Sequence, residues 1–237
     1  MTHIKKVTLF PEKYPTREEY PFNQTIFHET RTIPFQDPVT FFVGENGTGK
    51  STLLQALAHK CGIHIWRDTD KTRMDANPYR EMLYQYVDVE WTDGYVHGSF
   101  FSSDLFGYFA QNLEEWATTD KLMLDYFGGK SLMSQSHGQS LMSYFKARYR
   151  LKGLYLLDEP ETALSPKSQL ELLGVLKEMG RAGHAQFIVA THSPILMACP
   201  DARIYSFDHI PVKKIDYRET DHYRIYHQFM ADPDKYL

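Results

Sequence analysis

Apolar and polar positions change their period several times along this chain, and each change predicts an element. Residues 5–10 alternate, which predicts a strand. Residues 11–21, with Pro15 inside them, predict a loop. Residues 25–33 and 39–43 predict two further strands, divided by Pro34 and Pro38. Over residues 50–60 the period lengthens to that of a helix: Leu53, Leu54, Leu57 and Ala58 share one face. Residues 84–91 and 95–101 predict a hairpin turned at Thr92-Asp93-Gly94. Residues 104–116 predict a helix with Asp104 as its N-cap. Gly128-Gly129 breaks the chain, and residues 139–149 predict another helix. Residues 153–157 and 185–190 are continuous apolar runs on either side of a helix predicted over 166–179. Such runs, alternating with helices, predict a parallel sheet covered on both faces. Residues 204–207 and 212–215 predict closing strands, and residues 220–237 a helical tail. No composition shift marks a domain boundary.

Composition narrows the class. The 237 residues, 42% hydrophobic and 24% charged, support a real core and exclude wholesale disorder. The formal charge is −4, which gives no support to a dedicated basic nucleic-acid surface. No apolar run reaches a membrane span of about 20 residues. The first fifteen residues lack the apolar stretch of a signal peptide. Cys61 and Cys199 form neither a disulfide framework nor a metal motif, so a cytoplasmic protein is the expectation. Aromatic residues reach 14%, which predicts an aromatic-rich core.

The chemistry begins where the third predicted strand ends. Gly44-Glu45-Asn46-Gly47-Thr48-Gly49-Lys50-Ser51 fits G-x-x-x-x-G-K-[ST] between a strand and a helix. With average composition the pattern occurs by chance roughly 0.02 times in a chain of this length. The glycines let the backbone curl so that successive N–H groups face phosphate oxygens. The following helix adds the positive end of its dipole. Lys50 is placed to reach the β- and γ-phosphates and Ser51 to bind Mg²⁺. Thr52 adds a contact near the α-phosphate. ATP with Mg²⁺ is the expected ligand.

A second site follows from the apolar strand Leu154-Tyr155-Leu156-Leu157, which ends in Asp158 and Glu159. Strand C-termini point into the ligand crevice of an open parallel sheet. There Asp158 would hold Mg²⁺, and Glu159 would act as general base toward the attacking water. The second apolar strand leads into Ala190-Thr191-His192-Ser193-Pro194. It brings His192 to the same crevice, toward the γ-phosphate or the water.

A phosphate loop, an Asp-Glu strand and a strand-end His, in this order, resemble the ABC-type ATPase superfamily. Ser136-His137-Gly138-Gln139-Ser140, 22 residues before Asp158, resembles its signature, L-S-G-G-Q in the common form. Gln135 and His137 depart from that form, while Ser136, Gly138 and Gln139 keep its core. The resemblance implies that Ser136, Gly138 and Gln139 of one subunit close over nucleotide held by another. That arrangement is a head-to-tail homodimer around two ATP molecules. Glu161-Thr162-Ala163-Leu164-Ser165 corresponds to the D-loop. The resemblance also implies a polar metal-binding residue at a strand end before the signature. Asp104 lies just beyond a predicted strand end and is preferred; Gln85, 35 residues past Lys50, fits the family's habit but starts a predicted strand. An aromatic side chain, Tyr14, Tyr20 or Phe22, is expected to stack on adenine.

The wording SHGQS, LYLLDEPETALSP, ATHSPILMACP and RIYSFD resembles small bacterial stand-alone ATPases of the AAA, RecF/SMC-like branch. It implies one P-loop ATPase domain over residues 1–237, with an N-terminal antiparallel β portion. A small helical and hairpin insertion would occupy residues 62–130. Only 86 residues separate Lys50 from Ser136, so the long arms of SMC-type relatives are absent. The expected function is Mg-dependent ATP hydrolysis coupled to a conformational change in an unknown protein or nucleic-acid partner. DNA repair or defence is the process suggested by the family. The alternatives are an ATP-binding subunit of a transporter and a non-hydrolysing ATP sensor.

Overall fold

The computed structural model describes residues 2–66, 77–119, 122–125, 131–134 and 136–237. The Gly128-Gly129 break and Gln135 lie outside the described residues, as does part of the expected insertion. The strands are β1 (Ile4–Leu9), β2 (Thr32–Pro34), β3 (Val39–Val43), β4 (Val87–Trp91), β5 (Gly98–Ser102), β6 (Gly153–Asp158), β7 (Ala185–Ala190), β8 (Arg203–Ser206) and β9 (Lys213–Ile215). The helices are α1 (Thr25–Glu29), α2 (Lys50–Lys60), α3 (Phe106–Thr119), α4 (Leu122–Asp125), α5 (His137–Arg148), α6 (Pro166–Arg181), α7 (Pro194–Met197) and α8 (Asp221–Ala231).

The central sheet has the order β5-β6-β7-β3-β8-β9. All its pairings are parallel except β8 with β9. Alternate side chains of each strand enter opposite layers, as the two-residue strand period requires. Tyr155, Leu157, Phe187 and Val189 join the layer covered by α3, α5, α6 and α7. Leu154, Leu156, Ile188 and Phe42 join the layer with α1, α2 and the second sheet. Leu53, Leu54, Leu57 and Ala58 are all buried in that second layer. Many of the largest buried side chains are aromatic, among them Tyr149, Tyr155, Phe145 and Phe187.

The second sheet is antiparallel, in the order β2-β1-β4. Gln186, fully buried in β7, fastens it to the first. Its carboxamide oxygen accepts from His3 N at 2.6 Å and Ile4 N at 2.8 Å, and its amide donates to Ile4 O at 3.1 Å. A buried carboxamide is tolerated here because its polar atoms find backbone partners.

Three expectations need correction. Residues 25–33 are not one strand: α1 occupies Thr25–Glu29 and only Thr32–Pro34 is extended. Ile26 and Phe27 are adjacent and both buried, which a turn of helix permits and a half-buried strand does not. Residues 84–101 are not a hairpin. β4 pairs with β1 and β5 with β6, so the strands flanking the Thr92-Asp93-Gly94 turn enter different sheets. Finally, α3 starts at Phe106, leaving Asp104 exposed in the preceding turn and not at the cap. Both cysteines are buried and free.

Candidate functional site

β3 runs straight into the phosphate loop, and three glycines there hold positive φ: Gly44 at 141°, Gly47 at 82° and Gly49 at 99°. Side-chain-bearing residues rarely adopt these angles. At Gly49 a Cβ would stand 2.8 Å from Phe27 Cζ, so α1 presses directly on the loop. Gln24, just before α1, donates to Gly47 O at 3.2 Å. On the other side Asp208, beyond β8, accepts from Glu45 N at 2.8 Å.

Lys50 is 4% exposed and donates to Gly44 O at 2.6 Å and Glu45 O at 2.8 Å. Burial lowers its pKa, against the opposing pull of Glu159, Asp208, Asp158 and Glu45. The Ser51 hydroxyl donates to Asp158 Oδ1 at 2.7 Å. Asp158 ends β6 and is buried, which raises its pKa to about 6 despite the Ser51 bond. Among the described residues no cluster of three His, Cys, Asp or Glu side chains could hold a metal alone. Ser51 with Asp158 is instead the oxygen-rich, partial donor set that suits Mg²⁺ completed by phosphate oxygens. The residues present fit that ion.

Glu159 follows with φ 47° and ψ 54°, a left-handed conformation costly for a residue with a side chain. Its N–H donates to Ala190 O at 2.9 Å, and Ser103 and Thr162 donate to its carbonyl at 3.0 and 2.9 Å. The carboxylate thereby turns out into the crevice, 42% exposed. His192 Nε2 lies 3.6 Å from Glu159 Oε1, beyond hydrogen-bond reach. The His192 N–H is captured by Glu161 Oε1 at 2.5 Å. Burial and Lys50 lower the His192 pKa, while burial raises that of Glu161.

A pocket of about 200 Å³ is lined by Tyr20, Asn46, Gly47, Gly49, Lys50, Ser51, Thr52 and Glu159, with Gln24. The Tyr20 hydroxyl and Thr52 Oγ1 are 2.5 Å apart. Tyr14 and Phe22 are packed elsewhere: Phe22 is fully buried, and the Tyr14 hydroxyl donates to Phe27 O. Of the three candidate aromatics, only Tyr20 lines this pocket.

Ser136 caps α5 in a box with Gln139, whose carboxamide oxygen accepts from Ser136 N at 3.3 Å. Both side chains are exposed, and Gly138 lies beside Ala163, in the turn after β6. Among the described side chains of α5, none lines this phosphate pocket. Ser102 pairs in register with Asp158, so the Ser103-Asp104 turn lies at the sheet edge next to the second carboxylate site. Gln85 is in a short 3₁₀ turn before β4, in the other sheet.

Asp208 and His222 escaped the sequence reading. Asp208 had a signal, since it closes the RIYSFD run just beyond β8, the strand beside β3. His222 had none: it sits in the first turn of α8, and its Nε2 is 2.9 Å from His192 Nδ1.

Residues 141–198 match a family model described as "AAA domain, putative AbiEii toxin, Type IV TA system", and residues 23–62 match an AAA-domain model. A solved structure of cbiO1 from Clostridium perfringens, part of the ABC transporter complex cbiONQ, is 18% identical with a TM-score of 0.56. The match covers 99% of this chain and 97% of that one. The chain has the fold of an ABC-type P-loop ATPase. An inward-facing "putative metal-chelate type ABC transporter" shares this ABC-ATPase fold at 19% identity and a TM-score of 0.51. That match covers 83% of this chain and 80% of the other. The SMC head domain from Thermotoga maritima is 17% identical, with a TM-score of 0.47, over 91% of this chain and 99% of that one. No curated protein matches the chain. No helix among the described residues of this ABC-type fold is long and apolar enough to cross a membrane.

Proposed function

We propose that the chain binds ATP with Mg²⁺ and hydrolyses it, and that two copies close head to tail around the nucleotide. The observation that carries the reading is the 2.7 Å bond between Ser51 and Asp158, with Glu159 turned into the same pocket. One bond joins the end of the phosphate loop to the carboxylate strand. The free N–H groups of residues 46–51 would cradle the phosphates, and Lys50, now held by the Gly44 and Glu45 carbonyls, would turn to their oxygens. Ser51 and Asp158 would hold the cation, and the chemistry it would supply there is neutralisation of phosphate charge. Asp104 is a further candidate for that shell.

Glu159 accepts the proton of the attacking water, and its left-handed backbone is what aims it there. His192 faces the same water and the γ-phosphate through Nε2. Tyr20 carries the base, next to Thr52 at the α-phosphate.

The exposed start of α5 supports the dimer. Ser136 and Gln139 are exposed at a helix N-terminus, and none of the described side chains of α5 lines the pocket of its own chain. A second copy supplies that anion-binding end. The output is a conformational change in a partner, a protein or a nucleic acid, in repair or defence. The toxin-type description of the family model over residues 141–198 supports defence.

Steady-state ATP turnover tests this reading. Turnover is expected with Mg²⁺, is lost with a chelator, and falls at least about a hundredfold in Lys50→Met. Turnover in Lys50→Met equal to wild type overturns it.

A further inference from the structure

The protein holds the two rings of His192 and His222 within one hydrogen bond, and of the pair it is His192 that faces Glu159. His192 Nδ1 and His222 Nε2 are 2.9 Å apart, with ring centroids separated by 5.0 Å. A bond between two imidazole nitrogens needs one donor and one acceptor. The other end of the His192 ring decides which is which. Its Nε2 faces the Glu159 carboxylate at 3.6 Å and has no hydrogen-bond partner among the described residues. An anionic neighbour favours a proton on that nitrogen. In a neutral ring the proton on Nε2 leaves Nδ1 as acceptor.

We infer that His222 is a positioning residue: it donates from Nε2 to His192 Nδ1 and so fixes His192 with its proton on Nε2, aimed at Glu159. The inference rests on the ATPase reading for its purpose, but the pairing itself does not.

The surroundings are built to hold this geometry. His192 is fixed from the main chain by Glu161. Helix α8 is fixed at its start, where Thr220 Oγ1 accepts from Tyr223 N at 3.2 Å. The Tyr217 hydroxyl, just before α8, donates to Pro194 O, two residues beyond His192, at 3.0 Å. The β7 loop and the α8 first turn are thus tied independently of the histidine pair. Burial, with Lys50 nearby, keeps both rings toward the neutral form, against Glu159, Glu45, Asp208 and Asp221. Two neutral rings can make this bond, whereas two imidazoliums have no acceptor between them.

The chain of contacts gives α8 a direct line to the reacting centre. A displacement of its first turn frees the His192 ring to rotate or exchange tautomers. Orientation of a reacting group is a rate effect and leaves nucleotide affinity largely alone.

The test is a ring-nitrogen ¹⁵N spectrum with steady-state ATP turnover, on wild type, His222→Phe and His222→Gln. The signals of His192 are those that vanish in His192→Gln. The expected wild-type spectrum has His192 Nε2 protonated and Nδ1 as a hydrogen-bonded acceptor. His222→Phe should move both signals and lower kcat roughly tenfold at unchanged KM, the effect of one hydrogen bond. His222→Gln, which keeps an N–H donor at similar reach, should restore most of kcat. A wild-type His192 protonated on Nδ1, or signals unmoved in His222→Phe, overturns the inference. The wild-type spectrum decides this even where His222→Phe fails to fold. Wild type without turnover but with the expected spectrum supports the pairing and sinks the ATPase reading instead.

Discussion

Ser51 donates to Asp158 Oδ1 across 107 residues of sequence, at 2.7 Å. The bond joins the first turn of α2 to the last residue of β6, so two separately readable motifs become one site. Asp158 is buried beside Glu159, and burial raises its pKa from 3.8 to about 6 against the pull of that bond.

That burial makes Asp158 a cost to the fold that pH controls. The folded-state pKa exceeds the unfolded value, so the native state binds the proton more tightly. The stability from the protonated form is complete below pH 3.8 and is lost as pH rises through about 6. Asp158→Asn is therefore expected to be more stable than wild type at pH 7 by about 2–3 kcal/mol, at about 1.4 kcal/mol per unit. The difference should vanish near pH 4. Thermal unfolding without nucleotide at the two pH values checks it, and equal midpoints at pH 7 count against the site as described.

The aromatic near the phosphate pocket separates binding from folding. Tyr20→Ala is expected to raise the KM for ATP about tenfold with little effect on kcat, since base stacking is worth about 1–3 kcal/mol. Phe22→Ala should instead cost about 3–5 kcal/mol of stability, because Phe22 is fully buried. Kinetics and denaturant melts on the two variants distinguish them. A KM unchanged in Tyr20→Ala removes Tyr20 from the nucleotide site.

The motif residues and the parallel sheet were legible in the sequence because both are written locally. β6 and β7 are apolar runs, and α2 starts at Lys50 as its period predicts. Partners distant in sequence were not legible. The turn at Thr92-Asp93-Gly94 carries a hairpin signal, but Lys6 pairs with Glu90 and Gly98 with Leu154. Only the assembled fold sets those pairings. The helix α1 has five residues, too few to display a helical period, so β-branched and aromatic residues around it mimic a strand. His222 shows the same limit at the site. Nothing in DHYRIYHQF says that its first histidine meets the one in ATHSP.

Asp208 offers a test of the loop itself. Its carboxylate accepts from Glu45 N, and a Cβ on Gly44 would stand 2.9 Å from Oδ1. Asp208→Ala is expected to cost about 0.5–1.5 kcal/mol of stability, because water can replace this exposed partner of the Glu45 N–H, and to weaken ATP binding by loosening the loop. Gly44→Ala should do worse, since φ at 141° adds backbone strain to the contact. Thermal melts with and without ATP read both effects. A Gly44→Ala protein that binds ATP like wild type contradicts the geometry.

The central claim is that Glu159 takes a proton from water while two copies enclose the nucleotide. It is tested most directly by ATP turnover and light scattering on wild type and Glu159→Gln. Wild type should turn over. The variant should lose at least about a hundredfold, the low end for a general base, and accumulate as an ATP-bound dimer. A variant that hydrolyses ATP as fast as wild type, or binds ATP and remains a monomer, contradicts the account.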